Sequence, residues 1–279
     1  MPERPRTFHF TRAKRQTLEV LADYFCLRVC DLAKLLRKCE PNQNDLRTAR
    51  RTLYLLRKEG LLNRLPYIEL DRERGSVCYV YGLSDKGVRD YGGGLSKSFD
   101  EHSARTLDHE LEISWFHMAL AELCGKYGWT LYWQQADLKT RTIHPDAYLA
   151  VTNPAKPEGG NTHHFFLEIE RAKASKYKEG EPSILRKLAR YYGLFDMPDC
   201  EKDWGFRQFR VIVVQRTEYR RRNLCAAFAE QYRHRMFWLT TEDLYKRGIG
   251  AGIFRTPKDF QTVEYSLTHL WQEQRSASI

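Results

Sequence analysis

The sequence contains no apolar run long enough to cross a membrane. A membrane span needs about 18 consecutive apolar residues, and charged or polar residues interrupt every hydrophobic stretch well before that length. The first residues, MPERPRTFHFTRAKRQ, also lack the apolar core of a secretory signal peptide. From the sequence we therefore expect a cytoplasmic protein that does not insert into a membrane.

Paired cysteines and nucleotide-binding loops are missing as well. The seven cysteines are scattered and form no CxxC pair, which is typical of buried free thiols rather than of disulfides or structural zinc. Neither GxxxxGK[ST] nor GxSxG occurs. Their absence argues against a P-loop ATPase or helicase and against a hydrolase with a nucleophile elbow.

Acidic residues are outnumbered by basic ones. The chain has 46 Lys and Arg against 36 Asp and Glu, a formal net charge of +10, and a pI near 9.2. A basic excess of this size suits a polyanionic partner, with nucleic acid ahead of an anionic membrane. The 279 residues, 42% of them hydrophobic, can build one large domain or two ordinary ones. We expect double-stranded DNA to be the partner.

The first 92 residues have the pattern of a winged helix-turn-helix. Apolar spacing predicts helices at 12–25, 27–38 and 45–59, followed by two strands on either side of the turn DRERGS. In this motif the third helix enters the major groove and the hairpin tip reaches the DNA backbone. Exposed basic faces are often only solvated, and some winged helices bind proteins instead. The candidate groove residues are Arg47, Arg50, Arg51, Tyr54 and Lys58, and the candidate wing residues are Arg72 and Arg74.

A glycine-rich segment divides the chain. We place the winged helix at 1–92, a linker at 93–104, and a second domain at 105–279. The second domain alternates helical and strand patterns in the order α-β-β-β-α-β-α-β, which predicts an α/β domain with a mixed sheet and an α/β protein overall. Strands are expected at 130–136, 146–152, 164–170, 209–215 and 236–241, and helices at 105–126, 183–195 and 217–233.

Isolated carboxylates interrupt two of these apolar strands. Asp146 begins the strand in HPDAYLAV, and Glu168 and Glu170 lie two residues apart in FFLEIER, on one face of their strand. Clustered carboxylates repel unless a cation compensates, and Mg²⁺ prefers such oxygen ligands. Lys187 and Tyr191, one helical turn apart, could orient water or phosphate. The candidate catalytic residues are Asp146, Glu168, Glu170, Lys187 and Tyr191, with the three acids as ligands of Mg²⁺ or Mn²⁺.

The order of these motifs resembles the core of PD-(D/E)XK nucleases. The matching residues are PD at 145–146 and EIE at 168–170, inside an α-β-β-β-α-β frame. The resemblance implies metal-dependent cleavage of a phosphodiester. The usual motif lysine is replaced by Glu170, but some members carry this lysine on the next helix, where Lys187 stands, and Lys173 is a weaker substitute. K-x-x-x-Y, formed with Tyr191, is similar to the Q-x-x-x-Y element of other members.

Over about 12–240 the chain resembles the replication-relaxation family of plasmid and mobile-element proteins. The resemblance rests on TLEVLADYFCLRVCDLAKLL, the arginine-rich run from Arg47, YVYGLSDKG, His109 with Leu111, PDA at 145–147, and FFLEIERA. It implies a DNA-binding protein that acts in plasmid replication, mobilisation or transfer.

Three functions remain open at this point. The protein is a magnesium-dependent endonuclease or nickase, or an inactive nuclease-like accessory that binds an origin or transfer site and recruits replication or mobilisation proteins, or a transcriptional regulator. In the two inactive alternatives, Asp146 caps a turn and the strand glutamates pair with nearby arginines. Glu110 or Glu112 could add an acid to an active site, and a homodimer that reads paired half-sites is compatible with the sequence.

Overall fold

The structure is a computed structural model, and it divides into two units, Met1–Ser114 and Trp115–Ile279. Its helices, antiparallel sheet and mixed sheet give an α/β protein overall, as predicted. The division between the units falls inside a helix, and the linker expected at 93–104 stays a prediction. The residues that the structure describes are 10–68, 77–92, 95, 98–100, 103, 106–135, 143–170, 184–195, 197–229, 235–259 and 264–271.

The first unit has the order of elements expected for a winged helix. Strand β3 pairs antiparallel with both β1 and β2. The second helix begins two residues later than predicted, because Leu27 and Arg28 pair with β3 instead of entering the helix. The elements are α1 (Arg12–Asp23), β1 (Leu27–Arg28), α2 (Val29–Arg37), α3 (Gln43–Lys58), β2 (Leu62–Ile68), β3 (Val77–Leu83) and α4 (Asp85–Tyr91).

Helix α3 is fixed at both ends by its own sequence. Asn42 caps the first turn and forms a reciprocal capping box with Asp45. Asp45 also pairs with Arg37 of α2, with Nε and Oδ1 2.7 Å apart. Beyond the other end, Gly60 adopts a φ of 71°, which favours glycine. The apolar stripe of Ala49, Leu53 and Leu56 is buried, so the arginine-rich face turns outward.

The second unit has a five-stranded sheet in the order β4-β5-β6-β7-β8. The first three strands are antiparallel neighbours, and β6, β7 and β8 run parallel. The predicted α-β-β-β-α-β order is present; α7 and α9 were not predicted. The elements are α5 (Leu107–Tyr127), β4 (Thr130–Gln134), β5 (Ala147–Thr152), β6 (Thr162–Glu170), α6 (Ile184–Leu194), α7 (Pro198–Trp204), β7 (Arg210–Gln215), α8 (Glu218–Ala229), β8 (Phe237–Thr241) and α9 (Glu242–Gly248).

Helices α6, α7 and α8 cover one face of this sheet. Their apolar side chains form a single cluster with Phe166 of β6, Val211 and Val213 of β7, and Leu239 of β8. On the opposite face, Trp238 of β8 packs against Phe165 of β6. Since side chains alternate along a strand, every residue of β6 with an even number lies on the face that α6 covers. That rule assigns the glutamates of β6 to this face.

Candidate active site and nucleic-acid interface

The predicted groove residues form an exposed basic stripe on α3. Arg47, Arg50, Arg51, Tyr54 and Lys58 are all exposed, and their spacing of three or four residues keeps them on neighbouring turns. The ammonium of Lys58 lies 5.1 Å from the centre of the Tyr54 ring. Within the described part of the chain, none of the three arginines has an acidic partner. The wing residues Arg72 and Arg74 lie outside the described residues.

Asp146 and Glu168 face each other across neighbouring antiparallel strands. The register pairs Ala147 with Leu167, so the next step along the ladder sets Asp146 opposite Glu168. Two hydrogen bonds fix Asp146: its backbone N–H donates to the carbonyl of Leu167 at 3.0 Å, and its Oδ2 accepts from the N–H of Ile169 at 2.7 Å. The carboxylate is therefore held at the edge where β6 ends.

Helix α6 brings a lysine and a tyrosine onto this acid pair. The ammonium of Lys187 contacts Glu168 Oε2 and lies 3.9 Å from Asp146 Oδ1. One turn later, the hydroxyl of Tyr191 donates to Glu168 Oε1 at 2.5 Å. Glu168 is 2% exposed and Lys187 is 32% exposed, so the cluster is buried at the glutamate and reaches solvent at the lysine.

Burial and charge shift the protonation of this cluster. Burial, together with the charge of Asp146, raises the pKa of Glu168 to about 8, and the contacts from Lys187 and Tyr191 only partly oppose that shift. Burial lowers the pKa of Lys187, but the charges of Glu168 and Asp146 outweigh it and leave that pKa raised. Burial and the charge of Glu168 hold the pKa of Tyr191 well above its usual value. The pKa of Lys187 therefore lies above its ordinary value, and the pKa of Glu168 is about 8.

The raised pKa of Glu168 predicts a stability that depends on pH. Ionisation of this group disfavours the folded state, so its contribution to stability is full below pH 4.5 and is lost as the pH rises through about 8. We expect the free energy of unfolding of wild type to fall relative to Glu168→Gln, by at most about 1.4 kcal/mol per pH unit in this window. Denaturant unfolding of both proteins across the window measures the difference.

Glu158→Gln is the matched control for this prediction, because Glu158 is an exposed acid in the same unit. Its stability should track that of wild type at every pH. Parallel curves for wild type and Glu168→Gln would show that Glu168 has no raised pKa.

The acid pair fits a divalent cation better than the predicted set of three acids does. Among the described residues, no group of three or more Asp, Glu, His or Cys side chains is placed to hold a metal ion. Mg²⁺ needs only one or two carboxylates when substrate phosphates and waters complete its shell. Asp146 Oδ1 and Glu168 Oε2 already converge on one cation, the ammonium of Lys187. These two acids would hold the ion, and the role of Glu170 stays a prediction.

The remaining predicted residues lie on β6, on α5 or outside the described part of the chain. Glu170 ends β6 on the same face as Glu168, and its charge helps to raise the pKa of Lys187. Glu110 and Glu112 are buried on α5. Assistance from these acids stays a prediction. Lys173, the weaker substitute for the motif lysine, lies outside the described residues.

Sequence reasoning missed one polar residue at this edge of the sheet. Gln215 ends β7 and is the register partner of Glu170 on the parallel neighbour β6. Its side chain is 1% exposed. The only signal in the sequence was a glutamine closing a mostly apolar strand, FRVIVVQ, which by itself marks no function.

The structure defines an α/β protein, with helices and a three-stranded antiparallel sheet in the first unit and a five-stranded mixed sheet in the second. The chain belongs to the replication-relaxation family, whose model matches residues 18–207. The match begins inside α1, includes the acid pair and α6, and stops before β7. Membership supports a role in the replication or relaxation of a plasmid or mobile element.

Further comparisons add little. No curated protein matches the chain. A similar solved structure is that of a MepR point mutant from a multidrug-resistant clinical isolate of S. aureus, with 22% identity over 43% of this chain and 80% of that chain. Its TM-score of 0.23 is too low to support any inference. Across the described residues, no helix has the length and hydropathy that crossing a bilayer requires.

Proposed function

We propose that this protein binds DNA of a plasmid or mobile element through its winged helix and cuts or nicks it with the second unit, during replication, mobilisation or transfer. The observation that carries the proposal is the convergence of Asp146, Glu168 and Lys187 at the edge where β6 ends. Buried acids of like charge are costly, and their placement around one cation is the arrangement that metal-dependent nucleases need.

In this proposal each residue has a separate task. Asp146 and Glu168 would hold Mg²⁺, with Mn²⁺ as a substitute. The metal would supply an activated water and stabilise the leaving oxygen of the phosphodiester. Lys187, displaced from the acids when the ion binds, keeps its proton and would hold a non-bridging oxygen of the scissile phosphate. Tyr191 would fix the orientation of Glu168 through its hydrogen bond.

One observation favours an inactive alternative. Lys187 contacts Glu168 directly and so compensates the acid pair without a metal. Glu170 also stands where related nucleases usually carry the motif lysine. In this alternative the second unit is a scaffold that recruits replication or mobilisation proteins to an origin or transfer site, and a homodimer could bring two such scaffolds together.

A supercoiled-plasmid assay with Mg²⁺ or Mn²⁺ separates the two proposals. We expect wild type to produce relaxed or linear DNA, and an Asp146→Ala, Glu168→Ala double variant to produce neither. Both proteins should still shift DNA in a gel, because the substitutions lie outside the winged helix. Salt-sensitive binding without any cleavage by wild type would make the second unit a scaffold.

A further inference from the structure

The end of β7 presents a group of side chains that the proposed function does not use. Because β6 and β7 run parallel, both end at the same edge of the sheet, and the register sets Gln215 beside Glu170. Val211 and Val213 belong to the cluster under α6 and α8, so alternation places Gln215 on the face that carries Glu168. The family match ends at residue 207, so this edge of the site lies beyond it.

Gln215 is a buried amide with an unused donor. Its side chain is 1% exposed, and its Nε2 has no hydrogen-bond partner among the described residues. A buried polar group without a partner destabilises the folded state, because it has lost its hydrogen bonds to water. The four residues of β7 before it, Val211 to Val214, are all apolar and buried. The amide is therefore suited to an acceptor that a ligand brings, such as a phosphate oxygen.

Two arginines and a tyrosine follow immediately. Arg216 is exposed, Arg220 is partly exposed, and Tyr219 is 70% exposed. Within the described ranges neither arginine has an acidic partner, in contrast to Arg221 and Arg222, which both pair with Glu218. Arg216 lies directly after β7, and Tyr219 and Arg220 lie in the first turn of α8, so all three follow the end of β7 within five residues. Together with the amide they offer one buried donor and two unpaired guanidinium groups.

We propose that Gln215, Arg216 and Arg220 form a phosphate-binding edge that holds the backbone of double-stranded DNA beside the acid pair. The proposal rests on the proposed function for its ligand, since the acid pair needs a DNA strand next to it. Guanidinium groups and amides both donate to phosphate oxygens, and Tyr219 supplies an exposed ring next to them. The edge positions a phosphate near the site and does not itself react.

The test uses the full chain with the groove helix weakened by Arg47→Ala, Arg50→Ala and Arg51→Ala. Binding of a random-sequence duplex is measured by fluorescence anisotropy in Ca²⁺, over a series of salt concentrations. Into this background we introduce Arg216→Ala with Arg220→Ala, or Gln215→Leu. The matched control is Arg207→Ala with Arg222→Ala, which removes the same charge from exposed arginines that have acidic partners in Glu201 and Glu218.

The double substitution Arg216→Ala with Arg220→Ala should weaken residual binding about tenfold. It should also lower the slope of log affinity against log salt by about 1 to 2, because each phosphate that a side chain neutralises accounts for about 0.9 of that slope. The control should change neither quantity by as much. Gln215→Leu should weaken binding severalfold and leave the melting temperature unchanged or higher, because it replaces an unpartnered amide. The inference would be overturned if the Arg216→Ala, Arg220→Ala variant and its control bound DNA equally. It would also be overturned if the protein with only the three α3 substitutions no longer bound DNA.

The same variants in the plasmid assay distinguish this inference from the proposed function. If wild type does not cut but the edge variants bind more weakly as described, the phosphate-binding edge stands and the nuclease proposal fails. If wild type cuts and the edge variants bind and cut like wild type, only the edge is refuted. A Gln215→Leu variant that lowers the melting temperature and leaves binding intact would show that the amide is structural.

Discussion

A Lys187→Met variant is expected to cut plasmid DNA about 10² to 10³ times more slowly than wild type while binding Mn²⁺ at least as tightly. The rate should fall because a charged donor aimed at the scissile phosphate typically contributes a factor of this size. Metal affinity should hold or rise because Lys187 competes for the acid pair: its ammonium contacts Glu168 and lies 3.9 Å from Asp146. Single-turnover cleavage and calorimetric titration with Mn²⁺ measure the two quantities.

A catalytic role for Lys187 predicts that Lys187→Met cuts more slowly and binds Mn²⁺ at least as tightly. A purely stabilising role predicts a different result. If Lys187 only neutralised the acids, its removal would lower the melting temperature, and added Mn²⁺ would restore both stability and cleavage. Arg190→Met is the matched control: it removes one positive charge from an exposed position on the same helix, and it should leave rate and affinity unchanged. Cleavage by Lys187→Met at the wild-type rate would remove the lysine from the mechanism.

The acids of β6 and Asp146 could be singled out from the sequence because strand periodicity is a local property, but the convergence of Asp146 and Glu168 depends on the pairing of β5 with β6. Residues two apart on a strand share a face, and an acid in an apolar strand is conspicuous wherever the strand lies. The contact between Lys187 and Glu168 could not be predicted from strand periodicity. The two residues lie on different elements, and the length of the segment between them does not fix their relative position. Only the family pattern, with its lysine on the next helix, put them together before the structure did.

Elements that depend on their surroundings were harder to predict. The helices α7 and α9 have seven residues each, too few for a helical period to stand out. Gln215 lies beside Glu170 only through the pairing of β7 with β6, which no local pattern encodes. Helix α2 begins later than predicted because Leu27 and Arg28 pair with strand β3, which lies about 50 residues further along the chain. In each case the deciding interaction is long-range.

Replacement of Arg47, Arg50 and Arg51 by alanine is expected to lower the affinity for duplex DNA at least 100-fold. All three are exposed on the face of α3 opposite its buried stripe, and each good pairing of a side chain with a base edge is worth about 1–3 kcal/mol. The slope of log affinity against log salt should fall by about 0.9 for each phosphate that is no longer neutralised. Fluorescence anisotropy over a salt series measures both quantities.

Net charge alone could weaken binding, so the control must remove the same charge elsewhere in the first unit. Arg12, Arg15 and Arg89 are exposed on α1 and α4, and their joint replacement by alanine changes the chain by the same three charges. Long-range attraction is screened beyond about 8–10 Å at physiological salt, so this control should lose much less affinity. If both triple variants bind alike at that salt, α3 does not contact DNA, and the basic stripe is only a solvated face. Unequal losses that persist as salt rises would instead identify α3 as the helix that enters the groove, because only direct contacts survive screening.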